Sequence, residues 1–222
     1  MSFDARRRQP FFLSTLTLTL VAGCAGAPEI PKTGNGELHQ GTFVYSCSGA
    51  ADVGCGATSL PDGIAVGADF DLRFDPAPPL PTTLEPSAAF FSVDATGTFH
   101  ALRAGYGVVL VKDSSGAVVD FVNLRVKTIA LIDITGIDAT TALALGESRT
   151  VTAAAFDSAA VRLAGSLPLE WESADDAIAT VNVTDQDRAN GTATIHAVAA
   201  GTTRIRVVTG ASTGSLTIKV GS

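Results

Sequence analysis

Apolar and polar residues alternate over short runs along the second half of the chain. In residues 148–156, for example, Val151, Ala153 and Ala155 occupy every second position. Successive side chains of a β-strand point to opposite faces, so one apolar face with a period of two predicts a half-buried strand. Runs at 148–156, 192–198, 203–207 and 216–220 alternate in this way, and further runs at 129–134, 168–172 and 178–184 bring the count to about seven strands. Because no long stretch has the apolar spacing of a helix, the sequence predicts an all-β fold.

The same apolar and turn positions occur twice along the chain. Residues 98–105 are mirrored by residues 194–201, 96 positions further on, and Leu84 aligns with Trp171. Two copies of one domain explain this pattern if the second copy carries two loop insertions of about eight residues, which cost little free energy. We therefore predict domains at residues 37–127 and 128–222. About seven short strands per domain are typical of an immunoglobulin-like β-sandwich.

Short motifs in the second copy carry a family resemblance. They are Leu145-Gly146, Trp171-Glu172-Ser173, Ile-Ala-Thr-Val at 178–181, and a small-residue turn ending at Gly201 before the next strand. With these motifs the second copy resembles the group 2 bacterial immunoglobulin-like domain (BIG2-type). Two departures are Ala174, where a second Ser is common, and a longer stretch at 185–191.

The resemblance implies a fold and a class of function. It implies two tandem immunoglobulin-like sandwiches, with Trp171 in the core of the second and Leu84 at the equivalent core position of the first. A ligand-stacking role for Trp171 is the alternative. Domains of this family occur in bacterial surface proteins, adhesins and enzyme accessory modules, so binding or spacing is the expected function.

The first copy is a degenerate relative of the second. It lacks Trp, and residues 76–81 contain four prolines, which cannot donate hydrogen bonds to a ladder and therefore predict a loop or sheet edge. We interpret residues 41–55, which contain two cysteines, as an extension that adds a strand and a stapled loop.

The N-terminal segment has the features of an export signal. Arg6, Arg7 and Arg8 precede 13 uncharged residues at 11–23, which are too few to cross a bilayer. The segment ends in Val21-Ala22-Gly23-Cys24, which resembles the lipobox of bacterial lipoproteins. We predict a signal peptide at 1–23, lipidation of Cys24 and a flexible tether at 24–36. The alternatives are an ordinary signal peptide and an uncleaved apolar stretch.

Two of the three cysteines remain after Cys24 is assigned to the lipid. Outside the cytoplasm, Cys47 and Cys55 are expected to form a disulfide, which stabilises by roughly 2–3 kcal/mol for so short a loop. Their spacing is not that of a CxxC redox pair, and no second Cys or His pair suggests a metal site.

The charge of the chain limits its partners. Residues 1–23 carry three Arg and one Asp, so the predicted mature chain keeps 12 basic and 21 acidic residues. An acidic surface disfavours binding to nucleic acid or to anionic lipid, because both depend on Lys and Arg. We expect the acyl chain to provide the membrane attachment.

Residues that could support catalysis or metal binding form no recognised motif. His100 and His196 occupy equivalent repeat positions and are interpreted as solvated strand residues, and no nucleophile elbow, P-loop or zinc motif occurs. Residues 185–191 are similar to a calcium loop in the wrong register, and we prefer an extended hairpin that turns at Asn190-Gly191. No catalytic residue, metal ligand or cofactor is predicted.

Three functions remain open at this stage. They are a binding or adhesion module with a protein or glycan partner, a spacer or subunit of an envelope complex, and an enzyme with no recognisable motif. Ala25 is not the Asp that is associated with inner-membrane retention, which favours an outer-membrane location.

Lipidation is tested by replacing Cys24 with Ala. We expect processing and acylation to be lost, because the thiol is the atom that receives the lipid. Incorporation of labelled palmitate and membrane fractionation measure the effect. Label in the Cys24→Ala protein, or a wild-type protein that fractionates as soluble, would contradict the assignment.

Overall fold

The computed structural model describes residues 34–47, 52–53, 59–138 and 142–221. Over these residues the chain is nearly all β, in two tandem immunoglobulin-like sandwiches, as the alternating pattern predicts. The first sandwich contains β1 (Gly41–Ser46), β2 (Ile64–Ala65), β3 (Asp69–Pro76), β4 (Thr82–Pro86), β5 (Phe91–Val93), β6 (Phe99–Ala101), β7 (Gly105–Asp113) and β8 (Val118–Lys127). The second contains β9 (Leu131–Thr135), β10 (Ser148–Phe156), β11 (Glu170–Ser173), β12 (Ala179–Asn182), α1 (Asp185–Asn190), β13 (Thr192–Ala197), β14 (Gly201–Thr209) and β15 (Ser212–Val220).

The first sandwich packs two four-stranded sheets around an aromatic core. The sheets have the strand orders β1-β3-β6-β5 and β2-β8-β7-β4. The ring of Phe70 lies 5.8, 5.7 and 5.2 Å from those of Tyr45, Phe91 and Phe99, and all four residues are almost completely buried. Each such pair adds about 0.5–1.5 kcal/mol beyond the area it buries. All four rings come from the sheet β1-β3-β6-β5, and they share one core with Val109, Val111, Val122 and Leu124 of the opposite sheet.

The second sandwich has a smaller, aliphatic core. Its sheets have the orders β12-β13-β10-β9 and β11-β14-β15. Val151, Ile195, Ile205 and Val207 are fully buried between them. β14 and β15 form a hairpin that pairs from Gly201–Val220 to Thr209–Ser212. The seven observed strands of this domain coincide closely with the seven runs predicted from the sequence.

The strand β1 is part of the repeat and not an addition to it. β1 pairs antiparallel with β3, just as β9 pairs antiparallel with β10 in the second sandwich. The interpretation of residues 41–55 as carrying an extra strand is therefore wrong. What differs between the copies is the length of chain between the first strand and the next, since residues 47–63 separate β1 from β2.

The stretch 185–191 forms a helix where an extended hairpin was expected. Thr184 Oγ1 accepts a hydrogen bond from Asp187 N (3.1 Å), and Asp187 Oδ2 accepts one from Thr184 N (2.9 Å), as in a capping box. Asp185 and Asp187 also favour the positive end of the helix dipole. Gly191, at φ 67°, ends the helix instead of forming a hairpin turn.

A buried carboxylate holds the start of the described chain against β8. Asp120 is fully buried, and it accepts hydrogen bonds from the backbone N–H groups of Leu38 (2.9 Å), Gln40 (2.8 Å) and Phe121 (2.8 Å). A Cβ on Gly36 would lie 2.2 Å from this carboxylate, so only glycine fits there. The carboxylate therefore joins two segments about 80 residues apart in the sequence.

Replacing Asp120 with Ala leaves three backbone donors without their acceptor. We expect the free energy of unfolding to fall by about 3 kcal/mol, because buried donors to a charged group are costly to leave unsatisfied. Asp120→Asn keeps an accepting oxygen and should lose less. The control is Asp62→Ala at an exposed position, with an expected change within about 0.5 kcal/mol. Chemical denaturation measures the unfolding free energy of all three variants. Equal losses of unfolding free energy at positions 120 and 62 would contradict this structural role of Asp120.

Candidate functional surface at the domain junction

A segment of the second domain pairs with the sheet edges of the first. Residues 163–166, in the connection between β10 and β11, lie beside β2 and β3. Ala164 O accepts a hydrogen bond from Ala65 N (3.0 Å), and Ala164 N donates to Gly63 O (2.9 Å). Asp69 and Ser166 exchange two further backbone hydrogen bonds, both 2.8 Å long. The second domain thus supplies an additional strand segment to the first.

The same segment completes the apolar core of the first domain. Leu163 and Ala164 are 4% and 0% exposed. They pack in the core of the first domain, beside its aromatic residues, and not in the core of their own domain. Gly165 has φ 98°, and a Cβ there would lie 2.6 Å from the Cβ of Ala68. Leu167 packs against both cores. The junction is therefore a packed, apolar interface and not only a linker.

A buried carboxylate of the first domain holds the segment in place. Asp52 is 7% exposed and accepts hydrogen bonds from Gly165 N (2.7 Å), Val53 N (2.7 Å) and the Tyr45 hydroxyl (3.2 Å). Burial, and then the charge of Asp52, raise the pKa of Tyr45 far above its usual range, so the phenol stays a donor. A cavity of about 20 Å³ beside Asp52 has room for one water molecule.

An ion pair closes the other side of the junction. Lys127 Nζ lies 2.6 Å from Asp157 Oδ2, and the two side chains are only 15% and 10% exposed. Asp157 Oδ1 also accepts from the backbone N–H groups of Ala159 and Val161, each at 2.9 Å. The hydrogen bond from Lys127, followed by that from Val161, lowers the pKa of Asp157. Stabilisation by this pair is therefore present at neutral pH and is lost as the pH falls through that lowered pKa.

Between the domains lies a cleft of about 350 Å³. It is lined by Tyr106, Arg125 and residues 126–127 of the first domain and by Thr128, Asp157 and Ser158 of the second. The Cζ atom of Arg125 lies over the ring of Tyr106, 5.4 Å from its centroid. At this cleft both domains present polar side chains.

The equivalent edge of the second domain is closed by a side chain. Ala144 takes the repeat position of Ala65, but its N–H donates to Glu147 Oε2 (2.8 Å) and not to another strand. This backbone hydrogen bond, and then the one from Arg149, lower the pKa of Glu147. The two copies therefore have an equivalent sheet edge with an equivalent backbone N–H donor. In the first copy this donor binds a backbone oxygen, and in the second it binds a carboxylate.

The two repeated histidines lie on strands and are half-buried. His100 Nδ1 lies 2.5 Å from Asp69 Oδ1, and His196 Nδ1 lies 3.0 Å from Ser148 Oγ. His39 Nδ1 lies 3.0 Å from a backbone oxygen. In the described ranges, no group of three or more His, Cys, Asp or Glu side chains is placed to hold a metal ion. Both carboxylate oxygens of Asp187, in the calcium-like stretch, are hydrogen-bonded to threonines.

The remaining predicted residues lie in several places. Trp171 and Leu84 are half-buried, each against the core of its own domain, and they pair with the equivalent residues Val207 and Val111. Cys47 directly follows β1. Cys24 and Cys55 lie outside the described residues, so lipidation and the disulfide stay predictions. In the part of the chain that the structure describes, no helix has the length and apolar character needed to span a membrane.

Comparison with known proteins finds similar solved structures at low identity. The S-layer protein SbsC, domains 4 and 5, is 18% identical with a TM-score of 0.34, covering 69% of this chain and 83% of that one. The Escherichia coli adhesin FdeC is 18% identical with a TM-score of 0.34, covering 88% and 66%. The D00-D0 domain of intimin is 11% identical with a TM-score of 0.28, covering 79% and 98%. The chain spans 30% of the longer SbsC structure of domains 4–9.

No protein-family model and no curated protein match this chain. At this level of structural similarity, the function has to be argued from the residues of the chain itself.

Leu163 belongs to the second domain in sequence, but truncating its side chain should destabilise the first domain. Leu163→Ala is expected to lower the free energy of unfolding by about 2–4 kcal/mol, since it removes buried apolar volume. Hydrogen exchange should show faster exchange at the Ala65 and Asp69 amides, which donate to the paired segment. Leu145→Ala, at a residue 58% exposed, is the control. Unchanged protection of these two amides in Leu163→Ala would contradict the coupling.

Proposed function

We propose that this chain is a lipid-anchored, non-enzymatic binding module of the bacterial cell envelope. The observation that carries the proposal is the junction, which holds the two sandwiches together by backbone pairing, shared core and an ion pair. Such a unit keeps the cleft between its domains in one shape. A preformed surface loses less entropy when a partner binds than a surface that must first be ordered.

The commitment of side chains supports binding over catalysis. The inward faces of the strands fill the two cores, and the repeated histidines are hydrogen-bonded on the strand faces. Surface loops and edges remain for docking, together with exposed apolar residues such as Leu102 and Val198 at equivalent repeat positions. We also propose that the second domain is a BIG2-type relative, on its Trp-x-Ser and Ile-Ala-Thr-Val motifs.

Export and anchoring belong to the same proposal. The lipobox-like sequence before Cys24 and the predicted disulfide support a location outside the cytoplasm, and the lack of an inner-membrane retention residue favours the outer membrane. The partner is a protein or a glycan and not a nucleic acid, since the chain carries a net charge of −7.

A spacer or a subunit of an envelope complex is the second candidate, because the same rigid junction also suits spacing. The purified chain, labelled and added to cell-envelope fractions, separates the two roles. A binding module should be retained saturably. A spacer should show only weak retention that does not saturate.

Loosening the junction provides the internal control for retention. Leu163→Ala should reduce retention because it disturbs both walls of the cleft, whereas Leu145→Ala should not. Broad ester, peptide and glycoside panels should show no turnover with the wild-type chain. Reproducible turnover that disappears in His100→Ala or His196→Ala would contradict the non-enzymatic role.

A further inference from the structure

Two arginine side chains near the cleft lie against aromatic rings and not against carboxylates. The Cζ atom of Arg125 is 5.4 Å from the ring centroid of Tyr106, and that of Arg103 is 5.0 Å from the ring centroid of Phe90. Within the described part of the chain, neither guanidinium forms an ion pair. These two positive charges are therefore not compensated by a nearby carboxylate and are available to a single anionic group of a ligand.

Stacking holds Arg125 in a defined orientation. Tyr106 on β7 and Arg125 on β8 face each other as a cross-strand pair, and the guanidinium lies over the ring at cation–π distance. A stacked arginine keeps its N–H donors at the edge, where they match the two oxygens of a carboxylate. Because Arg125 is solvent-exposed, a ligand can reach these donors without displacing protein groups.

Gly105 makes room for the Phe90 ring that lies beneath Arg103. Its φ is 139°, and a Cβ at this position would lie 2.5 Å from Cε1 of Phe90. The missing side chain lets the Phe90 ring approach the backbone next to Tyr106, and Arg103 lies over that ring. Arg103 therefore lies just before the stretch from Ala104 to Tyr106 that lines the cleft.

Residues of the second domain add hydroxyl groups to the lining of the cleft. Thr128 and Ser158 line the cleft together with Asp157. The carboxylate of Asp157 is already paired with Lys127, so its charge is compensated. The volume of about 350 Å³ lies at the lower end of the range of small-ligand pockets, roughly 300–1,000 Å³. The cleft thus combines the guanidinium of Arg125, from the first domain, with the hydroxyl groups of Thr128 and Ser158, from the second.

We propose that this cleft binds an acidic sugar residue of a polysaccharide, with the uronate carboxylate on Arg125 and ring hydroxyls on Thr128 and Ser158. The inference rests on the proposed binding function and specifies its ligand class. A short, concave, hydroxyl-lined cleft suits a single sugar ring. An acidic peptide is less suited, because peptides are held by extended grooves or free strand edges, and the nearby edge of β2 is occupied by Ala164.

Calorimetric titration of the purified full chain in detergent tests the proposal. The probe is an oligomer of galacturonate, and the same oligomer as its methyl ester keeps the rings but loses the charge. Arg125→Gln removes the guanidinium, and Arg204→Gln makes the same charge change at an exposed position of β14. Tyr106→Leu keeps Arg125 but removes the ring beneath it.

The proposal expects the galacturonate oligomer to bind and its methyl ester to bind much more weakly. Arg125→Gln should weaken binding by at least about tenfold, and Arg204→Gln should stay within about twofold. Tyr106→Leu should weaken binding about two- to fivefold, because the arginine loses its stacked orientation. Melting temperatures of the variants establish that they are folded, and Tyr106→Leu provides a second test if Arg125→Gln is unstable.

The inference would be overturned by no binding of the oligomer, by equal binding of its methyl ester, or by equal affinity of the Arg125→Gln and wild-type chains. Displacement of the oligomer by poly-glutamate at equal charge concentration would also overturn it, in favour of an acidic protein partner. If the chain is retained on envelope fractions but does not bind uronates, the sugar inference fails while the proposed binding function stands.

Discussion

Backbone pairing between residues 163–166 and the edges of β2 and β3 is the constraint on which the rest of the junction depends. The pairing fixes Leu163 in the core of the first domain, and it places the Gly165 N–H against Asp52. Without it, the Lys127–Asp157 ion pair would join two mobile domains, and exposed pairs of that kind contribute little. With it, the pair is shielded from solvent and the cleft beside it has two fixed walls.

The local pattern of the sequence was sufficient to predict the strands of the second domain. An alternation such as that in β10 reports directly which side chains face a core, because the period of a strand is fixed by its geometry. The repeat predicted that Leu84 and Trp171 occupy equivalent places, and their equivalent partners Val111 and Val207 agree with that alignment. Pattern was misleading at 185–191, where a local capping box outweighed the turn tendency of Asn190-Gly191.

The junction could not be predicted in the same way. Asp52 and Gly165 are 113 residues apart, and nothing in the sequence around either residue indicates the other. Leu163 lies in the connection between β10 and β11, outside the predicted runs, and nothing around it in the sequence indicates whose core it enters. Arg125 looks like an ordinary polar residue on the outward face of a strand. Its position in a cleft follows only from the placement of the second domain, which depends on contacts between distant residues.

The carboxylate of Glu147 has a consequence for self-association. Free sheet edges of β-proteins are templates for the addition of further strands, and natural proteins protect them with charges. In the first domain the donor at Ala65 is used by the following domain, whereas in the second the matching donor at Ala144 is used by Glu147. This side chain therefore protects the sheet edge, because a second molecule could extend the sheet head to tail only by first displacing a charged group. The side chain thereby opposes the growth of filaments from a protein whose own two domains are joined by strand addition.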